Sequence, residues 1–222
     1  SVERFDRTIG DLLDHLDRER LTENTLVVYV TDNGWIQSRD RPQFAPRSKL
    51  SPYEGGLRTP IMLRLPGKIK PQFSESLAMS IDLAPTILKL CGLAPSAEMQ
   101  GLDLLDAQAV AGRKQIFGEI FTHNAIDLDD PAASLRYRWT VSDHWKLIVP
   151  NAANEPKADV QLYDLSKDEF ETRNVAAEQA DVVGKLTAAL DGWWGSKPRT
   201  VIRPASFQKP VKKAGGAKAK KI

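Results

Sequence analysis

Residues 25–34 read TLVVYVTDNG, and this stretch constrains the fold more than any other in the chain. Leu26, Val27, Val28, Tyr29 and Val30 form an uninterrupted apolar run, which suits a strand covered on both faces. Asp32, Asn33 and Gly34 then stop it in a turn sequence. Upstream, Val2, Phe5, Ile9, Leu12, Leu13 and Leu16 fall on one side of a helix, so residues 2–18 are predicted to be amphipathic and helical. A helix feeding such a strand predicts an α/β fold with a mainly parallel sheet. In open α/β sheets ligands gather beyond the carboxyl ends of strands. Asp32 and Asn33 are therefore the first candidate site residues.

The pattern after the strand divides the chain. Residues 35–53 show no period and are rich in Arg, Pro, Ser and Gln, which marks a long loop of the kind usually retained for function. Glu54-Gly55-Gly56 allows a bend where side chains would obstruct, and residues 60–65 predict a short strand stopped by Pro66-Gly67. A second helix is expected from Ser80 or Asp82 to Cys91, closed by Gly92, with Cys91 packed as a small apolar residue. Residues 1–107 thus read as part of an α/β domain.

From residue 108 the pattern changes to short β-like runs at 116–121, 137–141, 145–149 and 160–165, which predict an antiparallel sheet. Helical spacing returns over 178–194. Residues 108–195 are expected to form a small α+β subdomain. Residues 196–222 read as a basic tail with little to bury. Six lysines and no acid lie within 204–222, and without those lysines the formal charge falls from +2 to about −4. Residues 209–222 have no aromatic residue to stack on bases, so nucleic acid is not the expected partner; a polyanion or bulk solvent is.

Among 222 residues there is one cysteine, which excludes an internal disulfide framework and a Cys-rich zinc site. No apolar run approaches the ~20 residues of a membrane span. The chain opens on Ser1 within a helical pattern and has no signal peptide, so an upstream portion is expected to be missing.

Asp32 and Asn33 offer hard oxygens, which suit Mg²⁺ or Ca²⁺. They could be half of a divalent-metal site, or a simple Asx-Gly turn. Lys49 follows the strand end in the aperiodic loop, where a compact positive charge could meet a sulfate or phosphate oxygen or could be only solvated. Arg47 and Arg58 are similar cations, and Arg58 could instead pair with Glu54. His123 follows a predicted strand and could face a substrate cleft; surface positions are expected for His15 and His144.

Thr31-Asp32-Asn33-Gly34, Lys49 and the run 53–60 (YEGGLRTP) resemble the C-terminal half of the type I sulfatases. The family pattern is roughly S/T-D-N-G, a variable loop, then K-x-x-x-x-E-G-G-x-R-x-P, and Lys49 falls five residues before Glu54 as required. The likeness extends to Phe5–Leu16 with Gly10, to 82–86 (DLAPT), Gly92 and 101–105 (GLDLL), and to Trp145-Lys146-Leu147 and 162–165 (LYDL) with Asp168, Glu171 and Asn174.

The resemblance implies the alkaline-phosphatase-like α/β sandwich, present in part, with a small C-terminal antiparallel sheet and a packed helix. It implies sulfuric ester hydrolysis, one Ca²⁺ or Mg²⁺ ion held partly by Asp32 and Asn33, and sulfate contact by Lys49, with Arg47 and His123 as further substrate candidates. The expected substrate is a sulfate ester, a sulfated glycan among them, and the implied location is periplasmic or secreted. The family nucleophile is a formylglycine made within a C/S-x-P-x-R motif. No such motif occurs here, and the family's other metal aspartates and catalytic histidines have no counterpart. The chain alone is therefore expected to be inactive. A phosphodiesterase or phosphonate hydrolase of the same superfamily, and a non-catalytic module for sulfated glycans, are the alternative readings.

Overall fold

The computed structural model describes residues 2–194. The expected basic tail lies outside the described residues. Helix α1, Val2–Arg18, carries Glu3 in its first turn and Arg18 in its last, an arrangement that complements the helix dipole. Its apolar stripe is only partly covered: Leu16 is buried and Phe5 meets Tyr29 with ring centroids 6.1 Å apart, while Val2 and Leu12 stay exposed. Tyr29 belongs to strand β1, Val27–Val30.

Strand β1 departs from its expected setting. Its partner is β2, Ile61–Arg64, and the two run antiparallel, with Val27 opposite Arg64 and Val30 opposite Ile61. Parallel pairing needs a crossover of a dozen or more residues that is usually an α-helix. The connection here holds a single helical turn, α2, Glu54–Leu57, which returns the chain beside β1 in the opposite direction. Among the described residues β1 is half-buried and Val30 is exposed, so it is not covered on both faces.

Helix α3, Leu83–Leu90, begins after a 3₁₀ turn at Ser80–Asp82, and Gly92 takes the left-handed conformation (φ 75°) that closes it. Cys91 is exposed rather than packed, because it lies at the helix C-cap beyond the buried face. Helix α4, Ala107–Gly112, starts at Asp106, whose carboxylate accepts hydrogen bonds from the backbone N–H groups of Gln108 and Ala109.

The predicted antiparallel sheet is present. It contains β3 (Gln115–Phe121), β4 (Leu135–Ser142), β5 (Trp145–Pro150) and β6 (Gln161–Asp164) in that spatial order. Helix α5, Ala180–Trp193, covers one face. Alternation assigns the sides. Leu147 and Leu162 pack with Leu186, Phe117 stacks on Trp193 at 5.2 Å, and Arg138 reaches Asp191 at 2.6 Å. The opposite face presents Trp139, Lys146, Gln161 and Tyr163. No described helix is long and apolar enough to cross a membrane.

Asp82 and Arg113 tie the two parts of the chain together. The Asp82 carboxylate is fully buried and receives Arg113 through two nitrogens, at 2.5 and 2.7 Å. It also accepts from the backbone N–H groups of Met79 (2.7 Å) and Leu102 (2.8 Å). Burial works against its ionisation, but Arg113 and these N–H groups together hold its pKa below the usual carboxylate value.

Candidate metal and anion site

Three glycines bring the strand end, the aperiodic loop and α2 into backbone contact. The N–H of Gly34 donates to the carbonyl of Gly56 at 2.9 Å. A Cβ on Gly34 would stand 2.2 Å from the Gly55 oxygen, and one on Gly56 would stand 2.2 Å from the Ser48 oxygen. No other residue allows so close an approach. The Glu-Gly-Gly run is therefore a packing requirement that seats the turn at 32–34 on the segment carrying Lys49.

Within that turn, Asp32 Oδ1 accepts from the Asn33 backbone N–H at 2.9 Å, and Asn33 Nδ2 donates to the Gly34 carbonyl at 2.9 Å. The second Asp32 oxygen and the Asn33 side-chain oxygen accept no hydrogen bond among the described residues. Two hard donors are thus available at the end of β1. Their type fits a hard cation, but calcium takes about 6–8 oxygens and magnesium about six. The described residues contain no cluster of three or more His, Cys, Asp or Glu side chains suited to a metal, so this pair alone would not complete a coordination shell.

Lys49 sits between Arg47 (φ 59°) and Leu50 (φ 63°), two non-glycine residues in the left-handed region. Such conformations cost of order 1–3 kcal/mol each and persist only where surrounding contacts impose them. Those contacts are visible. The Ser48 hydroxyl is buried and accepts from the Ile36 N–H at 2.6 Å, and the Ser51 hydroxyl donates back to the Ser48 carbonyl at 2.5 Å. The half-buried Lys49 places its Nζ 5.9 Å from the ring centroid of Trp35.

Arg47 is committed elsewhere. Its guanidinium donates to the Glu171 carbonyl and lies 4.6 Å from the Tyr53 ring centroid, so it braces the loop against the C-terminal sheet. His123 is exposed in the turn after β3, and no hydrogen bond or ring contact joins it to Asp32, Asn33 or Lys49 among the described residues. Arg58 does not pair with Glu54, whose carboxylate is taken by Lys146 at 2.7 Å. His144 lies in the β4–β5 turn against Asp143 at 2.7 Å.

A buried polar cluster, whose pairing of Lys146 with Glu54 and Glu171 the sequence pattern did not show, lies behind the site. Lys146, fully buried on β5, also stands 2.9 Å from Glu171 Oε1, while Glu171 Oε2 accepts from the backbone N–H of Glu54 at 2.6 Å. Burial pushes the Glu171 carboxyl above its ordinary pKa and the ammonium of Lys146 pulls it back only in part. Around them the hydroxyls of Tyr53 (2.8 Å) and Tyr163 (2.5 Å) share Gln161 Oε1, and burial pushes Tyr163 up to about 12. The signal that could have exposed this cluster is a lysine inside the apolar run Trp145–Pro150, since a charge there must be paired.

Comparison with known proteins agrees with the motif spacing. The model described as N-sulphoglucosamine sulphohydrolase, C-terminal, matches residues 48–193, and the Sulfatase model matches residues 1–93. The chain is 27% identical over 215 residues to the N-acetylgalactosamine-6-O-sulfatase of Bacteroides thetaiotaomicron, covering 85% of this chain and 40% of that protein. It is 29% identical over 222 residues to human arylsulfatase A, covering 86% and 41%. A solved Bacteroides thetaiotaomicron chain described under the metabolism of multiple glycosaminoglycans superposes with a TM-score of 0.65 at 26% identity, over 85% of this chain and 42% of that one. A second solved chain, in complex with its substrate D-glucosamine-2-N,6-O-disulfate, shares the fold at a TM-score of 0.65 and 24% identity, over 88% and 39%. The chain thus spans about 40% of the length of the relatives it matches. The phosphodiesterase and glycan-module readings are not favoured by these matches.

Proposed function

Since the chain belongs to the sulfatase family, we propose that it furnishes part of the metal- and sulfate-binding surface of a sulfuric ester hydrolase. The observation that carries this reading is the bond from the Gly34 N–H to the Gly56 carbonyl, 2.9 Å, because it seats the turn bearing Asp32 and Asn33 on α2, against which Ser48, the neighbour of Lys49, is closely packed at Gly56. Asp32 and Asn33 would hold one Ca²⁺ or Mg²⁺ ion, with the remaining ligands supplied from outside the described residues. When bound, such an ion supplies positive charge against the sulfate oxygens.

Lys49 supplies a second positive charge. Its backbone is held in place before any ester arrives, so little reorganisation is needed when charge builds on the sulfate. A unit charge pair at about 4 Å is worth roughly 1 kcal/mol in water and about 4 kcal/mol at an effective dielectric constant near 20. The contribution of Lys49 therefore grows as water is excluded around the bound ester. The relatives named for N-acetylgalactosamine-6-O-sulfate and seen with a glucosamine disulfate support a sulfated sugar as the substrate class.

No C/S-x-P-x-R motif lies in the 222 residues, so the chain binds but does not turn over a sulfate ester by itself. The test has two parts. The purified chain should give no aryl sulfate hydrolysis above that of an Asp32→Ala, Lys49→Ala double variant, and excess turnover would sink the claim of inactivity. Inorganic sulfate binding, followed by NMR titration, should weaken in Lys49→Ala; an unchanged affinity would remove Lys49 from the site.

A further inference from the structure

We infer that Trp35 is the platform on which the sugar ring of a sulfated substrate rests while its sulfate group meets Lys49. This deepens the reading of the site given above and depends on it. Trp35 follows the Asp32-Asn33-Gly34 turn directly, yet its side chain is 54% exposed. A large apolar side chain left open beside a polar half-site needs a reason, and the contacts around it show that its position is built.

Phe44 braces the indole edge-on, with ring centroids 5.5 Å apart and planes at 70°. The backbone on either side is pinned. The Ile36 N–H donates to Ser48 Oγ at 2.6 Å, the Ala45 N–H donates to the Ile36 carbonyl at 2.7 Å, and Gln37 bridges Phe44 in antiparallel fashion. Lys49 Nζ stands over the indole, 5.9 Å from its centroid, so a cation flanks one face of the aromatic surface.

The chemistry of this pair is selective. The face of an indole carries negative electrostatic potential and accepts weakly positive C–H groups. One face of a pyranose ring presents such C–H groups, and an exocyclic sulfate projects from its rim. A sulfated sugar lying on Trp35 would place apolar surface on the ring and its anion at Lys49. Inorganic sulfate has no C–H face to lay on the indole and can use only the positive charges of the site. A protein partner or another chain segment would also cover an exposed tryptophan, but neither accounts for a lysine ammonium over it and the two oxygen donors of Asp32 and Asn33 just before Gly34.

The test compares two probes, D-glucosamine 6-sulfate and inorganic sulfate, titrated by NMR into the full chain with Ca²⁺ present. Four proteins are used: the chain itself, Trp35→Ala, Trp35→Phe and Lys49→Ala. Because Trp35 is exposed, its variants should melt close to the parent chain. Trp35→Ala should bind the sulfated sugar about tenfold more weakly while inorganic sulfate is unaffected, and Trp35→Phe should retain most of the affinity. Lys49→Ala should weaken both probes. If Lys49→Ala weakens both and Trp35→Ala weakens neither, the platform is wrong and the anion site stands. If Trp35→Ala weakens both probes equally, Trp35 acts through the fold and the inference fails. If the parent chain binds neither probe, the underlying reading of the site fails with it.

Discussion

Lys146 on β5 and Glu54 at the start of α2 meet at 2.7 Å although 92 positions separate them in sequence. This contact fixes the two halves of the chain in one arrangement. Glu54 precedes the Gly-Gly pair that supports both the Asp32-Asn33 turn and the Lys49 loop, and Lys146 belongs to the C-terminal sheet. Glu171 completes the link by receiving Lys146 at one oxygen and the Glu54 N–H at the other. The small sheet is thus the support on which the candidate site is mounted.

Removing the central charge should be costly. In Lys146→Met, the buried Glu171 carboxylate loses its counter-ion, and breaking a buried pair in this way typically costs about 3–5 kcal/mol. The urea midpoint should fall with little change in slope. Adding Glu171→Gln should recover part of the loss, since the carboxylate then left unpaired is that of Glu54, which is 19% exposed to solvent rather than fully buried. A Lys146→Met variant as stable as the parent chain would show that the cluster contributes nothing.

The glycines separate packing from propensity. Gly56→Ala would put a Cβ 2.2 Å from the Ser48 oxygen and 2.9 Å from the Ser51 oxygen, both backbone atoms that cannot rotate away. A loss of about 1–3 kcal/mol or more is expected, as for other overpacked sites. Gly10, in α1, has nothing within 4 Å of its would-be Cβ. Gly10→Ala should therefore stabilise by about 0.5–1 kcal/mol, because alanine is the better helix former. Thermal unfolding of the two variants checks the opposite signs.

These same positions show what the sequence could reveal. The order of helices and of the antiparallel sheet follows from local periodicity, so α1, α3, β3 to β6 and α5 were legible in the apolar spacing. The spacing from Asp32 to Lys49 to Glu54 was legible too, because the three lie close in sequence. Strand direction was not: an apolar run such as Val27–Val30 suits either orientation, and the return path through α2 decides it. The partners of Glu54 and Asp82 were hidden because they lie far along the chain. The contact of Arg47 with Glu171, 124 positions away, could not be read locally either.

Asp82 makes stability depend on acid pH. Arg113 and two backbone N–H groups hold its folded pKa below the ordinary 3.8. An acid with a depressed folded pKa binds fewer protons folded than unfolded, so its contribution is present above pH 3.8 and is lost as the pH falls through the lower folded value. The melting temperature of the parent chain should drop through that window. Asp82→Asn should be less stable near neutral pH and should show a shallower drop. Parallel melting curves for the two proteins across the acid range would contradict this assignment.

Asp32 should behave in the opposite way, because it stabilises nothing that the described residues show. Its carboxylate is exposed and its one hydrogen bond is to the adjacent Asn33 N–H. Asp32→Ala should therefore change stability by no more than about 0.5 kcal/mol in the absence of divalent ions. Its role would appear only on titration. A ligand that binds the folded chain raises stability by RT ln(1 + [L]/Kd), roughly 1.4 kcal/mol at tenfold the Kd. Two donors give weak binding, in the range of about 10⁻⁴–10⁻³ M or weaker. Millimolar Ca²⁺ should accordingly raise the melting temperature of the parent chain by a measurable step that disappears in Asp32→Ala and survives in Lys49→Ala. A Ca²⁺ response that persists without the Asp32 carboxylate would place the ion elsewhere and leave the strand end as a simple turn.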